Sequence, residues 1–190
     1  MSGEEEVTLG AAGAVVAVNP AIAARRGLAA RIDALERAGC LITLGTDNMA
    51  EDMVEVVRTA MLMERVRRAD GRRPTPEQAL TWATRNGYRA LGVPDGGWLA
   101  PGNRADFIVV DFRRAHLTPA LRPVACFVHQ GQAGDVESVM VDGRWLMRDR
   151  HVLTLDEPAI VAEAERVARA AWARLFAERP DLMPPPGFVL

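Results

Sequence analysis

Two short apolar runs constrain this chain more than anything else in it. GAVVAV at 13–18 and CLITL at 40–44 stand about thirty residues apart. Each is uniformly apolar and rich in β-branched residues, the pattern of a strand buried on both faces. Between them GLAARIDALERAG places Leu28, Ile32 and Leu35 at helical spacing, with Gly39 as a C-terminal stop. Strand, helix, strand within that span predicts a βαβ unit with parallel strands and a right-handed connection. Parallel strands end on one shared edge, and here the two ends carry Asn19-Pro20 and Gly45-Thr46-Asp47-Asn48. In parallel sheets and barrels that edge holds ligands, because loops converge there above strands that stay rigid.

The pattern then changes twice. A helix is expected from about Met49 to Arg68, with Met53, Val56, Val57, Ala60 and Met61 as its apolar stripe and Arg65, Arg67 and Arg68 favourably placed at its C-terminal end. GRRPTPEQ breaks it. Thr75, Pro76 and Gln78 match a capping box, opening a further helix that runs to Leu91 and stops at Gly92. After GVPDGG come ADFIVVDF, ACFVHQ, VESVMVDGRWLMRD and HVLTL, short runs of β-formers that predict an antiparallel module. Asp142-Gly143 is its hairpin turn. Asp156 caps a last helix that tolerates Pro158 in its first turn, with Ile160, Ala164, Val167, Ala171, Trp172 and Leu175 on one face. The proline-rich tail RPDLMPPPGFVL is irregular, laid against a surface.

Composition narrows the partners. The chain is 49% apolar and 25% charged, within the range of globular proteins, and 190 residues suffice for one good core or two small ones. With 23 basic against 25 acidic residues and no basic run, nucleic acid and anionic membrane are not expected partners. No segment reaches the ~18 consecutive apolar residues of a membrane helix, and MSGEEEVTLG is too acidic for a signal or transit peptide. Cys40 and Cys126 lie far apart in apolar stretches and read as reduced core residues. Together these predict a cytoplasmic location.

Asp47 admits two readings. As a carboxylate at the mouth of two parallel strands it can bind a metal, take a proton, or both. Alternatively Asp47 or Asn48 caps the helix that follows, with Glu51 at the capping-box offset from Asn48. Spacing by itself favours the cap.

Four motifs in order change that balance: GCLITLGTDN, PTPEQALTWATRNGYRALGV, GWLAPGNRADFIVVDF and VESVMVDGRWLMRDRHVLT. This series, from about Glu5 to about Arg169, resembles the C-terminal part of the amidohydrolase superfamily. The nearest branch is that of the cytosine deaminases, the methylthioadenosine/S-adenosylhomocysteine deaminases and the triazine hydrolases. The resemblance implies an α/β fold: the C-terminal fragment of a (β/α)8 TIM-type barrel, about two strands of it, then part of a β-sandwich and a C-terminal helix. The expected divisions are barrel 1–92, sandwich 93–155, and helix with tail 156–190. It implies metal-dependent hydrolysis of carbon–nitrogen bonds other than peptides, such as deamination of a heterocyclic, purine- or pyrimidine-like small molecule. By position Asp47 becomes the catalytic carboxylate and a ligand of a divalent metal, zinc or iron, helping to handle the proton of the attacking water. Asn19 and Asn48 become candidate substrate-binding residues, with Asn48 also the candidate cap. Asp106 and Asp142 are expected to serve turns.

The same resemblance shows what is missing. The family's metal is held mainly by histidines on earlier strands. His116, His129 and His151 all follow Asp47 and match none of those positions, so they read as surface or satisfied residues. SGEEEVTLGAAGAVVAVNP corresponds to the family's sixth helix and seventh strand. Where relatives often carry H-x-P-x-S-N, this chain has Val18-Asn19-Pro20-Ala21-Ile22-Ala23, and Asn19 could equally serve the turn before Pro20. The expectation is a chain that holds no metal stably and is inactive alone, completed by an N-terminal polypeptide or by self-association, since two strands leave open edges. The alternative is a non-catalytic structural or oligomerisation module.

Overall fold

The computed structural model describes residues 2–48 and 51–189 and shows a mixed α/β fold. Helix α1 (Gly3–Ala11) opens on a capping box: Ser2 Oγ accepts from the Glu5 amide at 3.3 Å, and Glu5 reaches back to the Ser2 amide. Strand β1 (Val15–Val18) follows, then a short helix α2 (Pro20–Arg25), helix α3 (Ile32–Ala38) and strand β2 (Leu41–Leu44). β1 and β2 are parallel, with Val15 opposite Leu41 and Val18 opposite Leu44, as the two apolar runs require. The connection differs from expectation. α2 begins on Pro20, whose fixed φ suits a first helical position. Gly27 at positive φ then breaks the path, so the second helix starts only at Ile32 and Leu28 is left 61% exposed. Gly39 closes α3 at φ 108°, as its position predicts.

Helix α4 (Met53–Arg68) buries Val56, Val57, Ala60 and Met61, the expected stripe apart from Met53, which stays partly exposed. The expected start near Met49 lies outside the described residues. The cap is Asp52, not Asp47 or Asn48. Its Oδ1 accepts from the amides of Val54 (2.7 Å) and Glu55 (3.3 Å), a correction returned to below.

The helix expected to run unbroken to Leu91 is two: α5 (Pro76–Ala83) and α6 (Arg85–Ala90). Thr84 separates them, with non-helical backbone angles and its hydroxyl bonded back to Leu80 O. Thr75 caps α5, but Gln78 does not complete the box. Its side chain donates to Glu36 on α3 instead. α3, α4 and α5 close over the strands, and Leu35, Ile42, Met61 and Trp82 are almost wholly buried there. Each such side chain contributes roughly 1.5–3 kcal/mol by leaving water.

A second, antiparallel sheet takes β3 (Phe107–Val110), β4 (Val136–Val141), β5 (Arg144–Arg148) and β6 (His151–Val152) in that order. Asp142 and Gly143 both have positive φ, which the tight β4–β5 turn demands. HVLTL contributes only its first two residues. ACFVHQ is no strand: it lies in helix α7 (Pro123–Gln130). Short apolar runs are ambiguous by periodicity. Here Pro123 starts the helix, Phe127 and Val128 are buried, and Val128 joins the core of α3, α4 and α5.

Helix α8 (Glu157–Glu178) is capped by Asp156, whose Oδ1 accepts the Ala159 amide at 3.1 Å. None of its residues is buried. The tail meets it, as Phe188 packs on Trp172 and Phe176 at ring separations of 5.2 and 5.6 Å. The expected apolar face exists, but among the described residues none of it is buried.

Candidate functional site

The strand ends meet where the sequence predicts. The Gly45 amide donates to Val18 O at 3.0 Å, holding the last rung of the parallel pair together. Asn19 stands at the N-cap position of α2 but makes no capping bond. Its Oδ1 instead lies over Gly45, where a Cβ would come within 2.4 Å of it. A side chain at position 45 would displace the Asn19 amide, so Gly45 leaves room for Asn19 to lie across the two strand exits.

Asp47 follows two residues later. It is exposed, adopts φ 54°, and its Oδ1 accepts the Asn48 amide at 2.7 Å. The left-handed region costs most residues about 1–2 kcal/mol, and Asp is among the few that enter it readily. Asn48 is exposed as well. The structure therefore brings Asn19 and Gly45 into contact and sets Asp47 and Asn48 on the turn just beyond.

Asp52 is the residue that sequence reasoning missed. Besides capping α4, its Oδ2 accepts the Ala133 amide at 3.1 Å, so one carboxylate ties the start of α4 to the turn before β4. Arg58, one face further along α4, donates Nε to Val128 O at 2.9 Å and Nη2 to Gly131 O. Those carbonyls sit at the end of α7, where a helix lacks internal partners. The signal for Asp52 was present, an Asp directly before the apolar stripe, but Asn48 and Glu51 offered a competing box upstream.

Other polar clusters are structural. Glu64 on α4 is buried and satisfied by the Asp33 amide (3.2 Å) and the Arg67 guanidinium. Glu36 accepts Trp82 Nε1 at 2.6 Å. Burial pushes the Glu36 carboxyl above its usual value, and the bonds from Trp82 and Gln78 only partly offset that. Asp33, Glu36, Glu64, Arg68, Gln78 and Trp82 line a cleft of about 210 Å³. A neighbouring cleft shares Glu36, Gln78 and Trp82 and reaches Cys40 and Leu41 at the start of β2. This is the strand-entry side, opposite Asp47, and neither cleft includes Asp47, Asn19 or Asn48.

Asp106 serves a turn, as expected. It accepts the Asp142 amide and the Tyr88 hydroxyl. The first of these bonds contributes most to lowering the Asp106 carboxyl, while Asp106 raises the Tyr88 phenol to about 12. His116 Nε2 lies 2.8 Å from Asp135 Oδ2, and His151 Nδ1 lies 2.8 Å from Asp149 O. Burial holds His129 below its usual value, helped by Arg65, Arg58 and Arg122. Cys40 and Cys126 are free thiols. Among the described residues, no group of three or more His, Cys, Asp or Glu could hold a metal ion, and no helix is long and apolar enough to cross a membrane.

Comparison with known proteins covers most of this fold. Residues 11–146 match the amidohydrolase family. The 5-methylthioadenosine/S-adenosylhomocysteine deaminase of Pelotomaculum thermopropionicum is 42% identical over 143 residues, 73% of this chain and 33% of that protein. The 5'-deoxyadenosine deaminase of Methanosarcina mazei is 37% identical over 145 residues, 74% of this chain and 33% of the relative. Among solved structures, an adenosine deaminase from Xanthomonas campestris with bound zinc superposes with a TM-score of 0.79 at 26% identity, covering 86% of this chain and 39% of the other. The zinc complex of atrazine chlorohydrolase from Arthrobacter aurescens gives 0.75 at 25% identity, covering 87% and 38%. The chain spans about a third of the length of the curated relatives it matches.

Proposed function

The chain belongs to the amidohydrolase family, and from that premise we propose that it forms the C-terminal barrel and sandwich part of a metal-dependent hydrolase of non-peptide carbon–nitrogen bonds. In this reading residues 1–92 are barrel, 93–155 sandwich, and 156–190 an appended helix and tail. The reaction is deamination of a purine-like small molecule: water adds at the ring carbon, the carbon–nitrogen bond breaks, and the amine leaves as ammonia. Asp47 is the catalytic and metal-binding carboxylate, and Asn19 and Asn48 lie on its substrate side.

One observation carries this reading. Asp47 is exposed at the exit of a buried parallel strand, while Asp52 performs the capping that would otherwise have explained it. Its left-handed backbone adds support, since non-glycine residues in sparse backbone regions cluster at functional sites. The open sheet adds more. Among the described residues β1 and β2 pair only with each other, and on the outer edge of β2 the Ile42 carbonyl meets the Asn86 side chain at 2.8 Å. A completing N-terminal polypeptide would occupy those edges and bring the remaining ligands for zinc or iron. The donors among the described residues do not fit a metal by themselves.

The absence of a ligand cluster among the described residues favours a second reading, a non-catalytic structural module. The two separate in one experiment. The chain is co-expressed with the first two-thirds of the Pelotomaculum relative, supplied with zinc, and assayed for ammonia release from 5-methylthioadenosine and S-adenosylhomocysteine. Activity that falls roughly a hundredfold or more in Asp47→Asn supports the proposal. A folded complex that releases no ammonia, or one indifferent to Asp47→Asn, supports the inert module. Reading the DNA directly upstream of the Met1 codon for H-x-H in any frame is the quicker first check.

A further inference from the structure

Asp47 stands on a turn with an anchor at each end. At the near end the Gly45 amide donates to Val18 O at 3.0 Å, and Leu44 packs against Ala21 and Val56. At the far end, four residues beyond Asp47, Asp52 opens α4. Packing does not hold that end. In the first turn of α4 Met53 and Glu55 are exposed and Val54 is half-buried, and Val56 is the first side chain to reach the core. Hydrogen bonds take over. Asp52 Oδ1 accepts the Val54 and Glu55 amides, which fixes the carboxylate on its own helix. Its Oδ2 accepts the Ala133 amide at 3.1 Å, which fixes the helix start to a distant part of the chain. A bond to an ionised acceptor is stronger than a neutral one.

The group that Asp52 grips is itself held from two sides. Arg58 takes the Val128 and Gly131 carbonyls just ahead of it. Asp135, 3% exposed, closes the short 3-10 turn Ala133–Asp135 behind it. Its Oδ2 accepts the Gln132 amide at 2.8 Å and lies 2.8 Å from His116 Nε2. Ala133 is therefore a fixed post, and a bond to it can hold a position. Asp52 and Arg58 together attach one helix to the segment 131–133 at two points, which sets direction as well as distance.

We propose that the Asp52–Ala133 bond positions Asp47: it holds the far end of the turn, so that the Asp47 carboxylate keeps one geometry at the strand exit. Asp52 is a positioning residue and touches no reacting atom. The inference rests on the role given to Asp47 above.

Two variants remove the same bond from opposite sides. Asp52→Asn keeps a good capping oxygen but turns a donor toward the Ala133 amide. Ala133→Pro removes that amide where proline fits. It is the first residue of its turn, and Gln132 before it has φ −132° and ψ 159°, the backbone that a residue preceding proline adopts. The first measurement uses the 190-residue chain alone. Nitrogen-15 relaxation should give the Asp47 and Asn48 amides an order parameter near the ~0.85 of rigid backbone in wild type and below about 0.6 in each variant, with Val16 and Ile42 unchanged. The second uses the hybrid with the Pelotomaculum fragment. Each variant should lower kcat for ammonia release about tenfold and leave KM within about twofold. The double variant should be no slower than either alone. A role confined to stability would shift the melting midpoint without separating kcat from KM. A silent wild-type hybrid sinks the function proposed above, while relaxation still decides whether the bond holds the turn. A mobile wild-type turn, order parameters that ignore both variants, or an active hybrid whose kcat ignores both overturns the inference.

Discussion

α4 and α8 are both amphipathic helices of several turns, both capped by an Asp, and they meet opposite fates. α4 buries Val56, Val57, Ala60 and Met61 beneath α2, α5 and α7, and even its Glu64 is enclosed by partners. α8 buries nothing. The stripe of a helix states which side needs cover, and the rest of the chain decides whether cover arrives. The caps differ in the same way. Asp52 reaches a second element at Ala133, whereas Asp156 serves its own helix alone.

Truncating one leucine in each region gives the sharpest contrast. Leu35→Ala, beneath α4 and wholly buried, should cost about 3–5 kcal/mol in urea unfolding. Leu175→Ala, measured at concentrations that keep the chain monomeric, should cost under about 1 kcal/mol. Equal losses would mean that α8 is covered within its own chain. Next in size are the caps. Asp52→Ala removes two capping bonds and the tie to Ala133, for about 2 kcal/mol, against roughly 0.5–1 kcal/mol for Asp156→Ala. If the two match, the bond to Ala133 contributes nothing.

A smaller effect probes the join between α6 and β3. Tyr88 is the only tyrosine, so tyrosinate absorbance reports it alone, with a midpoint at about 12 set first by its bond to Asp106. Asp106→Asn should return the midpoint toward about 10. Because the folded phenol holds its proton more tightly, this contribution is complete below the unfolded value and disappears as pH rises through about 12. The smallest effect is at Glu36, whose carboxyl is raised by burial between α3 and α5. Its stabilising contribution is present in acid and lost as pH rises through the folded value. Glu36→Gln should flatten that part of the pH–stability curve and slightly raise the melting midpoint at neutral pH. A steeper curve would show that the ionised form is the one the fold prefers.

Where a feature depended on neighbours in the chain, the sequence sufficed. The two apolar runs gave parallel strands, although β1 is not buried on both faces, since Val15 is 50% exposed; Asp142-Gly143 gave the hairpin, Thr75 and Asp156 gave caps, and four ordered motifs gave the family. The errors arose where a local pattern had two solutions. ACFVHQ carries strand-forming residues yet coils, because Pro123 starts a helix and the core has room for Phe127 and Val128. Thr84 breaks a stretch whose periodicity continues through it. Asn48 and Glu51 imitated a capping box that Asp52 displaced.

By its sequence alone, then, the chain determined its strand pair, its turns and the place of Asp47 at a strand exit, since each follows from residue type and short spacing. Tertiary structure alone decided that Asp52 would cap α4 and grip Ala133, that Arg58 would close the end of α7, and that α8 would stand uncovered. Those outcomes depend on which distant groups arrive to satisfy an amide, a carbonyl or an apolar face, and spacing along the chain carries no record of that.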